Sequence, residues 1–152
     1  MFIENVPAIR LLPMSESDPE FTNFTIEDLQ EWFKKELPYR AYNFKTEMIT
    51  PLGTLILFQY KNSVIASAVL ADKKIYSERL DGGYKGAFIF DPYSIAIFTP
   101  ITKEEIKRIW TTFRSFNQSM QKLDPSKLNQ YKTLLGKKEF EYVLTSDLEE
   151  DE

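Results

Sequence analysis

The stretch "GTLILFQYKNSVIASAVLADKKIY", residues 53–76, decides the fold. It holds two runs of apolar and β-branched residues on either side of a short polar segment at Asn62–Ser63, which is the pattern of a β-hairpin. The run "TLILFQY" is far shorter than the roughly 20 apolar residues that a membrane span needs. We therefore expect a soluble chain, built around this hairpin, that has no membrane partner.

The next stretch, "LDGGYKGAFIFDPYSIAIFTPIT", residues 80–102, predicts a second hairpin. Asp81-Gly82-Gly83 is a turn signal, and the "KGAFIFD" that follows is apolar on both parities, so both faces of this strand are expected to meet protein. Asp91-Pro92 suits a type I turn, after which "SIAIF" returns as the partner strand. Such strands pack in a curled sheet or small barrel. We expect Tyr84 to lie exposed in the glycine-flanked loop, and the buried residues to be Phe88, Phe90, Ile95 and Ile97.

Helix signals lie on both sides of these strands. Thr25 with Asp28, and Thr102 with Glu105, have the spacing of capping boxes, and Pro38 stops the first helix. Apolar residues recur at helical spacing after each box, which predicts two amphipathic helices packed on the sheet.

The remaining segments complete the predicted fold. "YRAYNFKTEMI", residues 39–49, is expected to be a strand or extended loop, and "KEFEYVL", residues 138–144, a last strand. Asp124-Pro125 starts a short helix that Gly136 ends. The fold class is α+β, a curved and mostly antiparallel sheet or pseudo-barrel with flanking helices. Residues 1–145 form one predicted domain, and 146–152 an acidic tail or the start of a linker.

Two absences limit the chemistry. The chain has no cysteine and no histidine, which excludes disulfides, thiolate nucleophiles, zinc sites of the usual kind and any imidazole base. The order Asp91, Glu105, Lys107 resembles that of metal-dependent nucleases, but Glu105 and Lys107 fall in a first helical turn, where acidic residues favour the helix dipole. The "GGYKG" loop lacks the ending of a phosphate-binding loop, and Glu139 with Glu141 suits a solvated strand edge. We predict no catalytic residue, metal or cofactor.

The net charge of −4 conceals a segregation along the chain. It is −5 over residues 1–36, +2 over 37–100, +6 over 101–138 and −7 over 139–152. The body between the acidic ends suits a polyanionic partner, although lysines solvated on helix faces explain it equally well. The amino-terminal residues contain neither a basic leader nor an apolar stretch of secretory length, so we expect a cytoplasmic protein.

The order of elements around "LILFQYKNSVIASAVL" resembles that of the PUA-like superfamily, which includes the EVE, ASCH and YTH domains. Separately, "YKGAFIFDPYSIAIFTPIT" with "FRSFNQSMQKLD" resembles an amino-terminal module of bacterial HNH-type restriction endonucleases. A chain without histidine cannot be the nuclease itself. The second resemblance therefore implies a recognition module, with a nuclease domain as a partner supplied in trans.

The first resemblance implies a non-catalytic module that binds DNA or RNA, with a modified or flipped base in an aromatic pocket. That task needs stacking rings, donors and acceptors for the base edge, and cations for phosphates. The stacking candidates are Trp32, Tyr42, Tyr60 and Tyr84, although Trp32 also fits an apolar helix stripe. The other candidates are the cations Arg40, Lys85, Arg114 and Lys122 and the amides Asn117 and Gln118. We prefer Tyr84 with Lys85, because the flanking glycines permit close backbone approach.

Two further functions stay open. The chain fits a protein-interaction or regulatory module whose basic middle meets an acidic partner without any nucleic acid. It also fits an enzyme that uses tyrosine and carboxylate groups on a small ligand, for which a deep polar pocket with convergent ionisable groups would be the sign.

Overall fold

The computed structural model of the chain describes residues 4–145, which form eight strands and three α-helices. The helices are α1 (Ile26–Lys35), α2 (Lys103–Ile109) and α3 (Leu128–Leu135). The strands are β1 (Ile9–Pro13), β2 (Tyr42–Phe44), β3 (Leu55–Tyr60), β4 (Ser63–Leu80), β5 (Tyr84–Phe90), β6 (Ala96–Ile101), β7 (Lys122–Leu123) and β8 (Phe140–Tyr142). The predicted acidic tail, residues 146–152, lies outside the described residues, and the domain boundary stays a prediction.

All eight strands belong to one large open sheet. Its order is β2-β5-β4-β3-β1-β7, with β6 paired to β4 and β8 paired to β6. The 18-residue β4 is the centre, since its first half pairs with β3 and β6 and its second half with β5. Within residues 4–145, the only parallel pair is β1 with β3. The predicted α+β class with a mostly antiparallel sheet is confirmed.

Both hairpins form, with differences at their turns. The β3–β4 turn is Lys61–Asn62, at φ 48° and 59°, one position earlier than predicted. Positive φ at both central residues is typical of a type I′ turn, whose twist matches that of the flanking strands. Asp81–Gly83 makes the β4–β5 turn as predicted, with both glycines at positive φ. Tyr84 is the first residue of β5 and partly buried, so its placement in an exposed loop was wrong.

Alternate residues of β3 divide the core into two clusters, one on each face of the sheet. Leu55 and Leu57 belong to one cluster, while Ile56, Phe58 and Tyr60 belong to the other. We call the second the aromatic face, since its buried rings are Phe21, Trp32, Phe33, Phe44, Phe58, Tyr60, Phe88 and Phe90. We call the first the aliphatic face; it is rich in aliphatic side chains, and its buried rings are Phe98, Trp110, Phe113 and Tyr131.

The aromatic residues of the second hairpin pack on the aromatic face. Phe88, Phe90 and Ile95 are buried there as predicted, whereas Ile97 is only partly buried. The rings of Phe44 and Phe88 lie 4.5 Å apart, and Phe58 and Phe90 meet edge to face at 5.3 Å. These aromatic residues are therefore core residues of one sheet face.

Local signals place the helices correctly. Both capping boxes are present, at Thr25 with Asp28 and at Thr102 with Glu105. α2 ends at Ile109, but Phe113 beyond it is still buried. Gly136 caps α3 in a right-handed conformation, at φ −62°. No helix within residues 4–145 has both the length and the apolar character to cross a membrane.

Sequence patterns did not predict the inner strand β1. It lies between β3 and β7, parallel to the first and antiparallel to the second. Arg10 stabilises this position, because its Nε and Nη2 donate to the carbonyl oxygen of Met120 at 3.1 and 2.8 Å. A five-residue strand whose partners are distant in sequence has no hairpin signal that local patterns could show.

Candidate functional site

A small cavity opens at the β2 edge of the sheet, beside the aromatic face. It contains three of the predicted site residues, Arg40, Tyr42 and Tyr84, together with Trp32, which was the fourth stacking candidate. These four residues come from α1, from the connection that follows it, from β2 and from β5. We call it the aromatic cavity; it is lined by Asp18, Glu20, Phe21, Trp32, Arg40, Tyr42, Asn43 and Tyr84.

Backbone features position each part of this cavity. The capping box at Thr25 starts α1 so that Trp32 faces Phe21, edge to face at 5.2 Å. Tyr42 pairs with Phe88 across β2 and β5, and its ring lies 6.2 Å from that of Trp32. Asp18 accepts a hydrogen bond from the Glu20 amide and so begins a 3-10 turn that presents Glu20. The rings are thus held by core packing and the carboxylates by a turn.

An ion pair closes the aromatic cavity. Nη1 of Arg40 donates to Oε1 of Glu20 at 2.6 Å, and Nε1 of Trp32 donates to the same oxygen at 3.2 Å. The Arg40 guanidinium also lies over the Trp32 ring, 5.6 Å from its centroid. The remaining volume is about 20 Å³, room for a single water molecule. A larger ligand would have to displace this ion pair.

The two tyrosines of the cavity stay protonated near neutral pH. Burial raises the pKa of the Tyr42 phenol, and the carboxylates of Asp18 and Glu20 raise it further. Burial also raises the pKa of Tyr84, with the same two carboxylates adding to the effect against the opposing charge of Arg40. Neither phenol can act as a general base near pH 7. Their rings and hydroxyl donors remain for binding.

A second cleft, of about 220 Å³, includes Tyr60 and Gln118. Tyr60 is only 1% exposed, and its hydroxyl donates to the Phe24 carbonyl oxygen at 2.8 Å. Its ring therefore has no free face on which a base could stack. Asn117 lies next to this cleft with both oxygens engaged, because its carbonyl accepts from Gln59 and its side chain from Ser119.

The other predicted cations lie on separate surfaces. Lys85 is exposed beside Tyr84, and Arg114 is exposed in the connection after α2. Lys122 lies on β7, at the opposite end of the strand order from β2. Lys122 is not part of the aromatic cavity lining; it lines a depression with Ile49 and Pro51. The structure thus groups Arg40, Tyr42 and Tyr84 and leaves Lys122 apart, while Lys85, the strand neighbour of Tyr84, projects toward the other face of the sheet.

Charge segregation along the chain does not persist in the fold. Acidic residues of the amino-terminal segment pair with the basic body, Glu16 with Lys61 at 3.4 Å and Glu20 with Arg40. Near the carboxyl end, Glu141 pairs with Lys34 at 3.4 Å. No three acidic side chains within residues 4–145 come together as a metal site would require.

Sequence reasoning missed Glu20, although a signal for its turn was present. Asp18-Pro19 has the same form as Asp91-Pro92, where an Asp side chain accepts from the amide two residues later. That pattern locates a 3-10 turn. It does not reveal that the carboxylate after the turn reaches an arginine 20 residues away.

Solved structures of one protein and of two of its variants are among those that share this fold. An ASCH protein from Zymomonas mobilis is similar with a TM-score of 0.55 and 15% identity, covering 83% of this chain and 94% of that one. One single-substitution variant of it has a TM-score of 0.53 and 17% identity, covering 83% of this chain and 97% of its own. A second variant has a TM-score of 0.51 and 16% identity, covering 83% of this chain and 95% of its own. No protein-family model and no curated protein matches the chain.

These similarities show the fold alone, because the identities are low. ASCH is one of the groups that the sequence resembles, and the chain shares the fold of this ASCH protein. The three structures described contain no restriction-endonuclease module, so the resemblance to such a module stays a prediction.

Proposed function

We propose that the chain is a non-catalytic nucleic-acid recognition module that holds a base in the aromatic cavity. The observation that carries this proposal is the convergence of Trp32, Tyr42, Tyr84 and Arg40 at one opening, from four separate segments. Base recognition by stacking needs ring faces and a nearby cation, and it needs neither histidine nor cysteine. The PUA-like fold of the chain agrees with this function.

Binding requires the cavity to open. A base cannot enter a volume of about 20 Å³, so the Glu20–Arg40 ion pair must open and Tyr84 must shift at the mouth. Tyr84 is suited to this movement, since it begins β5 directly after Gly82 and Gly83. Removing a base from its stack costs a few kcal/mol, and less when the base is unpaired or damaged. A flipped or chemically modified base is therefore the preferred occupant.

We assign the phosphates on either side of the bound base to Lys85 and Lys45. Lys85 follows Tyr84 on β5, and the Lys45 ammonium lies 5.5 Å from the centroid of the Tyr84 ring. Lys122, at the other end of the sheet, is not part of the proposed contact. It provides a matched control for charge removal.

Titrations of single-stranded, duplex and base-modified oligonucleotides at two salt concentrations test the proposal. Tyr84→Ala should weaken binding by about 1 to 3 kcal/mol if a base stacks there. Tyr93→Ala is the control, because this tyrosine is 43% exposed on the Pro92–Ser94 turn and does not line the cavity. Lys85→Ala should reduce the salt slope by about one unit, and Lys122→Ala should leave it unchanged. No binding at low salt to any oligonucleotide would refute the function.

A protein-interaction module is the second candidate, and a specific surface favours it. Ile49 and Leu52 are 75% and 55% exposed, and Ile49 borders a depression of about 370 Å³ with Pro7, Pro51 and Pro125. Contiguous exposed apolar side chains are typical of protein contacts. An acidic protein, or a nuclease domain supplied in trans, would be the partner. Binding of a protein with little salt dependence, and of no nucleic acid, would favour this candidate.

A further inference from the structure

One carboxylate oxygen in the aromatic cavity accepts from two strong donors. Oε1 of Glu20 lies 2.6 Å from Nη1 of Arg40 and 3.2 Å from Nε1 of Trp32. The guanidinium is planar and rests over the indole ring, so its orientation is fixed by stacking as well as by charge. The indole N–H is fixed by the packing of Trp32 against Phe21 and Phe33.

Such a donor pair is suited to any anionic oxygen. A guanidinium binds phosphate oxygens with the same geometry that it uses for carboxylates, and an indole N–H can only donate. Among the groups that line the cavity, Arg40 is the single cation, while Asp18 and Glu20 are both acidic. An external anion that enters the cavity therefore finds Arg40 already paired with Glu20. It is also repelled by the carboxylates of Asp18 and Glu20.

We propose that Arg40 and Trp32 form an oxyanion subsite for one backbone phosphate of a nucleic acid, and that Glu20 occupies it as an internal competitor. This inference rests on the proposed function, since it names which phosphate contact accompanies the bound base. Phosphate binding then moves the Glu20 carboxylate aside and opens the cavity in the same step. Entry of the base and capture of the phosphate are coupled through one ion pair.

Displacing Glu20 requires little free energy. The Glu20 and Arg40 side chains are both 36% exposed, and exposed ion pairs contribute little to stability. The turn that carries Glu20 is held by its backbone amide on Asp18, so the carboxylate can leave without unfolding the turn. The Glu20 carboxylate can therefore be displaced by a phosphate, but its displacement lowers the affinity for the nucleic acid.

Glu20→Gln should therefore strengthen oligonucleotide binding about two- to fivefold, the range expected from an exposed ion pair. Glu16→Gln is the matched control, because Glu16 is a nearby acid of the same segment that pairs with Lys61 instead. It removes the same charge but should give a smaller gain. In the double variant Glu20→Gln/Arg40→Gln the gain should disappear. Equal gains from both single variants would overturn the inference.

A spectroscopic readout separates this inference from the proposed function. The chain has two tryptophans, and the indole N–H of Trp110 donates to the Asp124 carbonyl oxygen at 2.9 Å, outside the cavity. In ¹H–¹⁵N spectra of the Glu20→Gln variant, inorganic phosphate should move the Trp32 indole resonance and leave that of Trp110 in place. Oligonucleotides should do the same at lower concentration.

The outcomes are distinguishable. If phosphate moves Trp32 but no oligonucleotide binds, the oxyanion subsite stands and the proposed function is refuted. If oligonucleotides bind in a Tyr84-dependent way while inorganic phosphate leaves the Trp32 indole resonance unmoved, the function stands and the inference is refuted.

Discussion

The two faces of the sheet have similar helices, but their tryptophans lie in different surroundings. Each receives a helix that begins with a threonine capping box, α1 on the aromatic face and α2 on the aliphatic face, and each region supplies one tryptophan. The indole N–H of Trp110 donates to a backbone carbonyl in a closed core, whereas that of Trp32 donates to the Glu20 carboxylate at an opening.

This difference teaches how a binding region arises on an ordinary scaffold. Aliphatic side chains on one face fill space around Trp110, which is 3% exposed. On the other face, aromatic rings meet edge to face and keep their polar ends at the rim, where the Tyr42 and Tyr84 phenols lie beside an ion pair. Edge-to-face packing thus lets the same rings form part of the core and direct their polar groups toward the cavity opening. The following variants test that contrast.

The largest effect should come from Gly86→Ala, under the aromatic face. A Cβ there would clash with the Lys74 carbonyl oxygen and lie 2.7 Å from Cζ of Phe44. Because a paired strand cannot move away, we expect a loss of about 3 kcal/mol in the free energy of unfolding. Urea denaturation measures it as a lower midpoint with an unchanged slope.

Gly136→Ala, beside the aliphatic face, is the matched control. Gly136 is right-handed at φ −62°, and a Cβ would lie 3.4 Å from its nearest neighbour, the Thr133 carbonyl oxygen. This change should be neutral or stabilise the chain by about 0.4 to 1 kcal/mol, through the unfolded state. Similar losses for both variants would contradict the close approach of β4, β5 and Phe44.

A smaller effect is expected from replacing each tryptophan. Trp110→Phe leaves the Asp124 carbonyl without its 2.9 Å donor, at a cost of about 2 kcal/mol. Trp32→Phe loses a longer bond to an exposed carboxylate, which should contribute less than about 1 kcal/mol. Thermal denaturation compares their stability, and oligonucleotide titration should respond only to Trp32→Phe. A larger loss at Trp32, or a binding defect from Trp110→Phe alone, would reverse the assignment of the two faces.

The smallest effect is expected on stability at acidic pH, through Glu105 of the second capping box. Burial opposes ionisation of Glu105, but hydrogen bonds from Lys138 and Thr102 outweigh it and hold the pKa of Glu105 below its ordinary value. A lowered pKa contributes stability above the ordinary pKa, and that contribution is lost as the pH falls through the lowered value. Between about pH 5 and pH 3, Glu105→Gln should lose less stability than the parent chain.

Lys138→Gln sharpens this prediction. It removes the ammonium that lies 2.8 Å from Glu105, so the pKa of Glu105 in the folded chain should rise, and the decline should be smaller and end at a higher pH. Denaturation midpoints measured across that pH range test both variants. A parent chain and a Glu105→Gln variant with parallel pH profiles would show that the ion pair contributes nothing.

Local chemistry predicted much of the fold. Capping boxes, the Asp81–Gly83 turn and the Asp-Pro turns depend on neighbouring residues, so they could be read directly. Strand β1 could not, because a parallel pair joins segments with no turn between them. The burial of Tyr60 was missed for a related reason, since all of β3 is buried and its pattern does not separate core rings from exposed ones.

The candidate site was predictable only in its rings and cation. Arg40, Tyr42 and Tyr84 were chosen by chemical type and meet in one cavity. Glu20 was not, because the sequence suggested an acidic segment apart from a basic body, and only the fold places that segment on Arg40. Charge counted along a chain does not describe the charge around a cavity.

The inner position of β1 has a consequence for the order of synthesis. Its partner β3 emerges from the ribosome long after it, and Met120, which Arg10 holds, follows Arg10 by 110 residues. At 5 to 20 residues per second, this is a delay of roughly 6 to 20 s. Until then the apolar side chains of β1 have no native neighbour on one edge. The nascent chain must avoid non-native pairing of β1 with other strands until β3 and β7 are available on its two sides.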